Sequence, residues 1–288
     1  MVKDARIAQM GFLALFLLLG LMTRDWTLRP ELLATVGISC LGTQWLTRNL
    51  IPRWRRYPGL TENPPELLRW WQIPGWQSAV ITALGLCLLL RGNDYTTMAL
   101  AGCGAIASKS LFRIHDKHFF NPANFGIILA LLLTPDAWVS PGQWGTQAWY
   151  FLVFIAAGGI VLRWVGRWDT SMVFLGTYAA LEAVRTLVLG WTLDVYTHKL
   201  MSGSLLLFAL FMVTDPRSIP NAKQARWIWA GAIAWLTFLF QEQLFISTGM
   251  FWALFLLAPL TPLLDFLWSA PRFTWDRLGR GFSLKQSL

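Results

Sequence analysis

Apolar residues in this chain run in long blocks instead of alternating with polar ones. The blocks cover residues 7–22, 32–46, 76–90, 96–111, 121–134, 147–162, 171–189, 199–213, 227–245 and 249–267. Each carries little or no charge. Each is about 15–20 residues long, near the length a helix needs to cross about 30 Å of hydrocarbon. Backbone amides in lipid must find partners within their own segment, so blocks of this kind are helices. Several are short for a span, which predicts tilt or burial within a bundle. The expected fold class is all-α: a polytopic membrane protein with about ten transmembrane helices. One membrane domain over 1–270 and a basic tail over 271–288 account for the whole pattern. The first block lacks a small-residue cleavage site and is read as a retained span, not a signal peptide. The long connector 47–75 is rich in proline, with room for one short interfacial helix near 66–71.

Composition sharpens this picture. Hydrophobic residues make up 55% of the chain and charged residues 14%, against about 25% charged in an ordinary soluble domain. The net charge of +9 is a topology signal more simply than a nucleic-acid footprint. With the N-terminus inside, most of the 24 Lys and Arg residues fall in cytoplasmic connectors. Arg24, Arg29, Arg91 and Lys199 fall outside, and Arg185 lies within a span. That bias sets the orientation, with both termini cytoplasmic. Tryptophans gather at the block ends, as expected of rings at headgroup level. Cys40, Cys87 and Cys103 lie inside apolar blocks without metal-ligand spacing and read as small buried residues. His115 and His118 are three apart but lack a third ligand in view, so no metal is expected. No catalytic triad, phosphate loop or dinucleotide fingerprint is present.

A few polar residues break the apolar blocks. Asn121 precedes Pro122 and is expected to cap the fifth span. A helix start carries unpaired donors, so it can also hold an anion or a polar ring edge. Asp215 precedes Pro216, which ends the eighth span. Lys109, Asn121 and Asp215 all fall at the cytoplasmic side and can form one cluster. Glu182 and Arg185 are three apart, share a helix face and can pair. Glu182 lies deep and must face the bundle interior. A structural ion pair and a proton or ion relay both remain open for it. Asp265 sits near the inner end of the last block, beside Pro259 and Pro262, whose freed carbonyls need polar partners.

Several strings resemble one family in order. They are Ser78-Ala-Val-Ile-Thr-Ala-Leu-Gly85, Ser108-Lys-Ser-Leu-Phe112 and Phe120-Asn-Pro-Ala-Asn-Phe-Gly126. Further on stand Ile155-Ala-Ala-Gly-Gly-Ile-Val-Leu162, Phe211-Met-Val-Thr-Asp-Pro216 and Ala258-Pro-Leu-Thr-Pro-Leu-Leu-Asp265. The set is similar to the D subunit of Rnf electron-transport complexes and the B subunit of the sodium-translocating NADH:quinone oxidoreductase. The resemblance implies two inverted five-helix repeats, similar to urea and ammonium channels. It implies a redox subunit of an oxidoreductase complex in the bacterial inner membrane, not a stand-alone enzyme. The expected partners are other membrane and peripheral subunits carrying flavin or iron–sulfur groups, together with the bilayer and no nucleic acid. It also implies flavin and a coupling of redox to ion movement. The family's Ser-Gly-Ala-Thr motif for covalent FMN is absent, and its following motif survives only as Gly142-Gln-Trp-Gly-Thr-Gln-Ala148. The expected flavin, FMN or riboflavin, is therefore noncovalent.

Lys109, Asn121, Asn124, Thr214 and Asp215 are the expected cofactor pocket between the repeats. Glu182, Arg185 and Asp265 are the ion-pathway candidates. No catalytic residue is expected. The alternative is a channel or carrier for a small polar solute on the same scaffold.

Overall fold

The computed structural model describes residues 5–23, 29–50, 75–114, 117–139, 144 and 148–273. His115, the 66–71 segment, the Gly142 region and the tail from 274 lie outside the described residues. Helices form at every apolar block. They are α1 (Ala5–Thr23), α2 (Pro30–Leu50), α3 (Trp76–Leu89), α4 (Tyr95–Leu111), α5 (Pro122–Leu133), α6 (Ala148–Val165) and α7 (Trp168–Val188). Then follow α8 (Leu193–Leu200), α9 (Gly203–Leu207), α10 (Lys223–Phe238), α11 (Gly249–Leu257) and α12 (Leu260–Leu267). The helical class is as expected. Among the described residues, α1, α6 and α7 can each cross a membrane by length and composition, and the count rises to five if two bent pairs each form one span.

The bent pairs depart from the smooth blocks of the apolar pattern. That pattern starts the eighth block at 199. Instead α8 starts at Leu193, and the chain bends by 45° between it and the helix from Gly203 to Met212. The last block bends by 48° between α11 and α12. Pro259 lacks an amide and Pro262 sits one turn on, so the ladder breaks there. Two π-helical turns, Phe208–Met212 after α9 and Leu239–Gln243 after α10, extend their helices.

Two short antiparallel pairs close the ends. β1 (Leu90–Arg91) pairs with β4 (Trp138–Val139), and β2 (Arg113–Ile114) pairs with β3 (Lys117–His118). At the β1–β4 end, Asp136 takes the Asn93 amide at 2.7 Å, the Asp94 amide at 3.0 Å and the Thr97 hydroxyl. A carboxylate distant in sequence thus satisfies donors at the start of α4, where a local cap is missing.

The core is apolar and closely packed. Phe16 of α1 meets Phe154 at 4.4 Å, Phe211 at 5.9 Å and Trp144 at 6.3 Å between ring centroids, which joins α1 to α6 and the α9 π turn. α5 lies against α4 with Gly126 at the crossing. A Cβ there would meet the Ala101 carbonyl oxygen at 2.5 Å, so only glycine lets the two backbones approach this closely. Cys40 and Cys87 are buried as expected, whereas Cys103 faces outward from α4. For a sulfhydryl on an apolar helix face that is no penalty where the surroundings are lipid.

Candidate functional site

The start of α5 is built locally. Asn121 is its N-cap, with an Oδ1 that accepts from the Asn124 amide at 3.0 Å, and Pro122 takes the first helical position. The same two asparagines also reach across the bundle. Asn121 Nδ2 donates to the Met212 carbonyl at 3.1 Å, and Asn124 Nδ2 donates to the Phe251 carbonyl at 3.0 Å. A π turn leaves carbonyls without their usual α-helical partners, and Met212 closes one. The α5 start is thereby fastened both to the chain leading into Thr214-Asp215-Pro216 and to α11.

Beside it lies a cavity of 120 Å3. Asn121, Thr214 and Asp215 line it, as do Ser78, Thr82 and Arg217. The rest of its wall is largely apolar, from α1, α3, α6 and the helix ending at Met212. A smaller cavity of 50 Å3 abuts it, with Lys109 and Ser110 in its lining. Ser78, Gly75, His118 and Arg217 line both. The structure therefore brings four of the five expected pocket residues to two neighbouring cavities. Asn124 lies on the helix behind them, almost fully buried, with its Oδ1 unpartnered.

Lys109 donates to the Ser78 hydroxyl at 3.1 Å, the Thr82 hydroxyl at 3.2 Å and the Ser78 carbonyl at 3.3 Å. His118 Nε2 stands 3.8 Å from Asp215 Oδ2. Burial pulls the imidazole below its ordinary value, and Asp215 offsets this only in part. At neutral pH the contact is therefore not an ion pair. Thr214 donates back to the Leu210 carbonyl at 2.8 Å.

These contacts bear on the expected flavin. Lys109 spends its donors on α3, and both ends of the Asn121 amide are engaged. A volume of 120 Å3 is also well below the roughly 300–1,000 Å3 of an ordinary ligand pocket. In this conformation the five residues do not form a cradle for a flavin ring.

The other candidates separate into two polar networks. Glu182 is fully buried, as expected. The expected pairing with Arg185 gives way to a chain of ion pairs. Lys199 stands 3.3 Å from Glu182 and 2.6 Å from Glu242, and Arg185 stands 2.6 Å from the same Glu242 carboxylate. Arg185 also lies over Trp191, 4.5 Å from its ring centre. Sequence reading missed Glu242 and Lys199. Asp265 lies elsewhere: it pairs with Lys117 at 2.5 Å and accepts from the Asn221 amide at 2.7 Å. Lys117 also donates to the Ile219 carbonyl at 2.6 Å, so the pair binds the β2–β3 hairpin to α12 and to the chain before α10. No group of three or more metal-ligating side chains occurs among the described residues.

Residues 139–274 match the profile of the NQR2, RnfD, RnfE family. The second half of the chain is similar to this family. The match contains the Thr214-Asp215-Pro216 and Asp265 strings, while the Asn121 and Lys109 strings precede it. Curated relatives of the family are named as the D subunit of an ion-translocating oxidoreductase complex. The protein of that name from Escherichia coli (strain SMS-3-5 / SECEC) is 31% identical over 142 residues, 48% of this chain and 38% of its own length. That from Tolumonas auensis is 29% identical over 119 residues, 41% of this chain and 34% of its own. The alignment with these family members thus covers well under half their length. Among the candidates of this chain, Glu182, Arg185, Thr214, Asp215 and Asp265 fall inside the family region.

Proposed function

We propose that this chain is the integral membrane subunit of a bacterial electron-transport complex of the Rnf and Nqr kind, a redox subunit and not an enzyme by itself. The observation that carries this reading is the family match over residues 139–274, which includes the turn that walls the central cavity. In this reading the chain crosses the inner membrane about ten times, in two inverted five-helix repeats, with both termini cytoplasmic. Its partners are membrane and peripheral subunits that carry flavin or iron–sulfur groups, and the assembly couples electron flow to ion movement. Glu182, Arg185 and Asp265 are the ion-pathway residues of the proposal.

A noncovalent flavin belongs to the same reading and needs a second conformation. Asn121, Thr214 and Asp215 already face the cavity, but its apolar walls must part to admit a ring. Detergent extraction followed by affinity capture tests the whole. Flavin or iron–sulfur proteins in the captured fraction support the assignment, and their absence counts against it. The cofactor is tested separately. A protein without flavin absorbance, whose melting ignores added riboflavin and FMN, has no flavin role.

One observation favours a second reading, a channel or carrier for a small polar solute. A cavity of 120 Å3 has room for about four waters at roughly 30 Å3 each, which suits a urea-sized molecule. Solute flux into liposomes carrying the purified chain alone, lost in Glu182→Gln, would support it over the redox reading.

A further inference from the structure

A separate cavity of 520 Å3 opens between the β2–β3 hairpin and α12. Its volume lies within the roughly 300–1,000 Å3 of an ordinary ligand pocket. The lining has two chemistries. Ile114, Phe119, Leu263 and Phe266 form an apolar side, and Lys117, Asp265, Asn221 and Ser269 form a polar one. The protein does not cover the apolar side, since Leu263 is 52% and Phe266 83% exposed. Trp268 stands at the end of α12, where a ring at headgroup level is expected. The cavity thus straddles the boundary between acyl chains and headgroups.

The polar side carries one charge of each sign at close quarters, in the Lys117–Asp265 pair. That pair does not exhaust either group. An ammonium has three donors, and Lys117 gives one to Asp265 Oδ2 and one to the Ile219 carbonyl. A carboxylate has about four acceptor positions, and Asp265 fills one with Lys117 and one with the Asn221 amide. Among the described residues, a charged donor and a charged acceptor therefore remain side by side on one wall. Arg272 also borders the cavity and is engaged by a partner of its own. A ligand that uses both remaining positions brings a cation as well as an anion. An anionic headgroup sets its charge against Asp265, and a quaternary ammonium has no N–H to donate to it. A primary ammonium joined to a phosphate diester by a short linker serves both.

We infer that this cavity holds an aminophospholipid of the phosphatidylethanolamine type. Its ammonium donates to Asp265, its phosphate accepts from Lys117 beside Asn221 and Ser269, and its chains lie along Leu263 and Phe266. The inference rests on the membrane assignment and not on the redox reading. It gives Asp265 a use other than ion passage, and the test below reads lipid retention alone. A chain that captures no redox partner still has this site.

The test uses the full chain, purified in detergent and washed free of lipid. It is incubated with equimolar phosphatidylethanolamine, phosphatidylcholine and phosphatidylglycerol of matched acyl chains. Native mass spectrometry then reads the lipid retained. Phosphatidylethanolamine should be held about tenfold better than either competitor, on the scale of one charge-assisted hydrogen bond. The first two lipids differ only in the methyl groups on nitrogen, so their ratio reports the donors that reach Asp265. Asp265→Asn should bring that ratio close to one. Because it also weakens the tie to the hairpin, a second variant decides. Ala270→Trp fills the cavity from its lining and leaves the ion pair in place. It should lose the preference while its melting point without lipid stays unchanged. Two results overturn the inference. One is phosphatidylcholine or phosphatidylglycerol retained as well as phosphatidylethanolamine by the unaltered chain. The other is a preference that survives in Ala270→Trp.

Discussion

Asn121 does two jobs with one amide, and its removal separates a local effect from a tertiary one. The cap on the Asn124 amide and the bond to the Met212 carbonyl disappear together in Asn121→Ala. The expected loss is about 1–3 kcal/mol, from the cap and from the bond to the Met212 carbonyl, which then keeps only the longer one from the Asp215 amide at 3.3 Å. Asn121→Ser keeps a capping oxygen and loses the donor to Met212 without setting a carboxylate against that carbonyl, so its melting point should fall between the two. His118 gives a second prediction at this scale. In the unfolded chain its imidazole titrates at the ordinary value of 6.5, and burial holds the native value lower. Below that ordinary value the unfolded chain therefore binds more protons than the native one, and acid favours unfolding. The His118 contribution is intact above pH 6.5 and is lost as pH falls from there toward the native value. Asp215, Arg217 and Lys109 face the ring and already enter this balance. A melting series from about pH 8 to about pH 5 should show a decline that His118→Gln reduces.

The junction of α7, α8 and the π turn after α10 depends on charges from three segments. Glu242 meets two cations at 2.6 Å, Arg185 and Lys199, while Glu182 meets one cation among the described residues, Lys199, at 3.3 and 3.5 Å. Glu242→Gln should therefore destabilise more than Glu182→Gln, by about 3 kcal/mol for one lost partner of a buried pair. Thermal denaturation of both variants in one detergent checks the order. A larger effect from Glu182→Gln would mean that Glu182, not Glu242, anchors the network. The sequence made part of this junction legible. Glu182 had to point inward because hydrocarbon penalises a lone charge, and it does. Its true partners were not legible, because Lys199 lies beyond the α7–α8 turn and Glu242 lies on another helix. The π turn that presents Glu242 has no composition signal of its own. Nor did α8 stand out, since Asp194, His198 and Lys199 break its apolar run. By contrast, the α5 start was legible to the residue, because a cap followed by proline acts within one turn. Pro259 and Pro262 were legible as freeing carbonyls, but the 48° bend before α12 was not, because the apolar run continues through it.

At the scale of the whole molecule, the cytoplasmic expectation becomes a geometric one. Asn121, His118 and Asp215 border one cavity, so the turns that carry them lie at one end of the bundle. Reporter fusions or cysteine labelling at the β2–β3 hairpin and at the 215–222 segment should find both on the same side of the membrane. Opposite sides would break the shared cavity and every role assigned to it. The grouping of Lys109 with Asp215 was visible in advance from charge placement, but the division into two small cavities was not, because it depends on where α3 lies between them. The other end of the bundle has its own order of events. α4 is synthesised before Asp136, which follows Asp94 by 42 positions and closes the first turn of that helix. A ribosome-bound chain halted between 111 and 136 must leave those amides to water. The N-terminal end of α4 is therefore finished only after α5 has been made, and insertion intermediates cut in that interval should exchange the Asn93 and Asp94 amide protons freely.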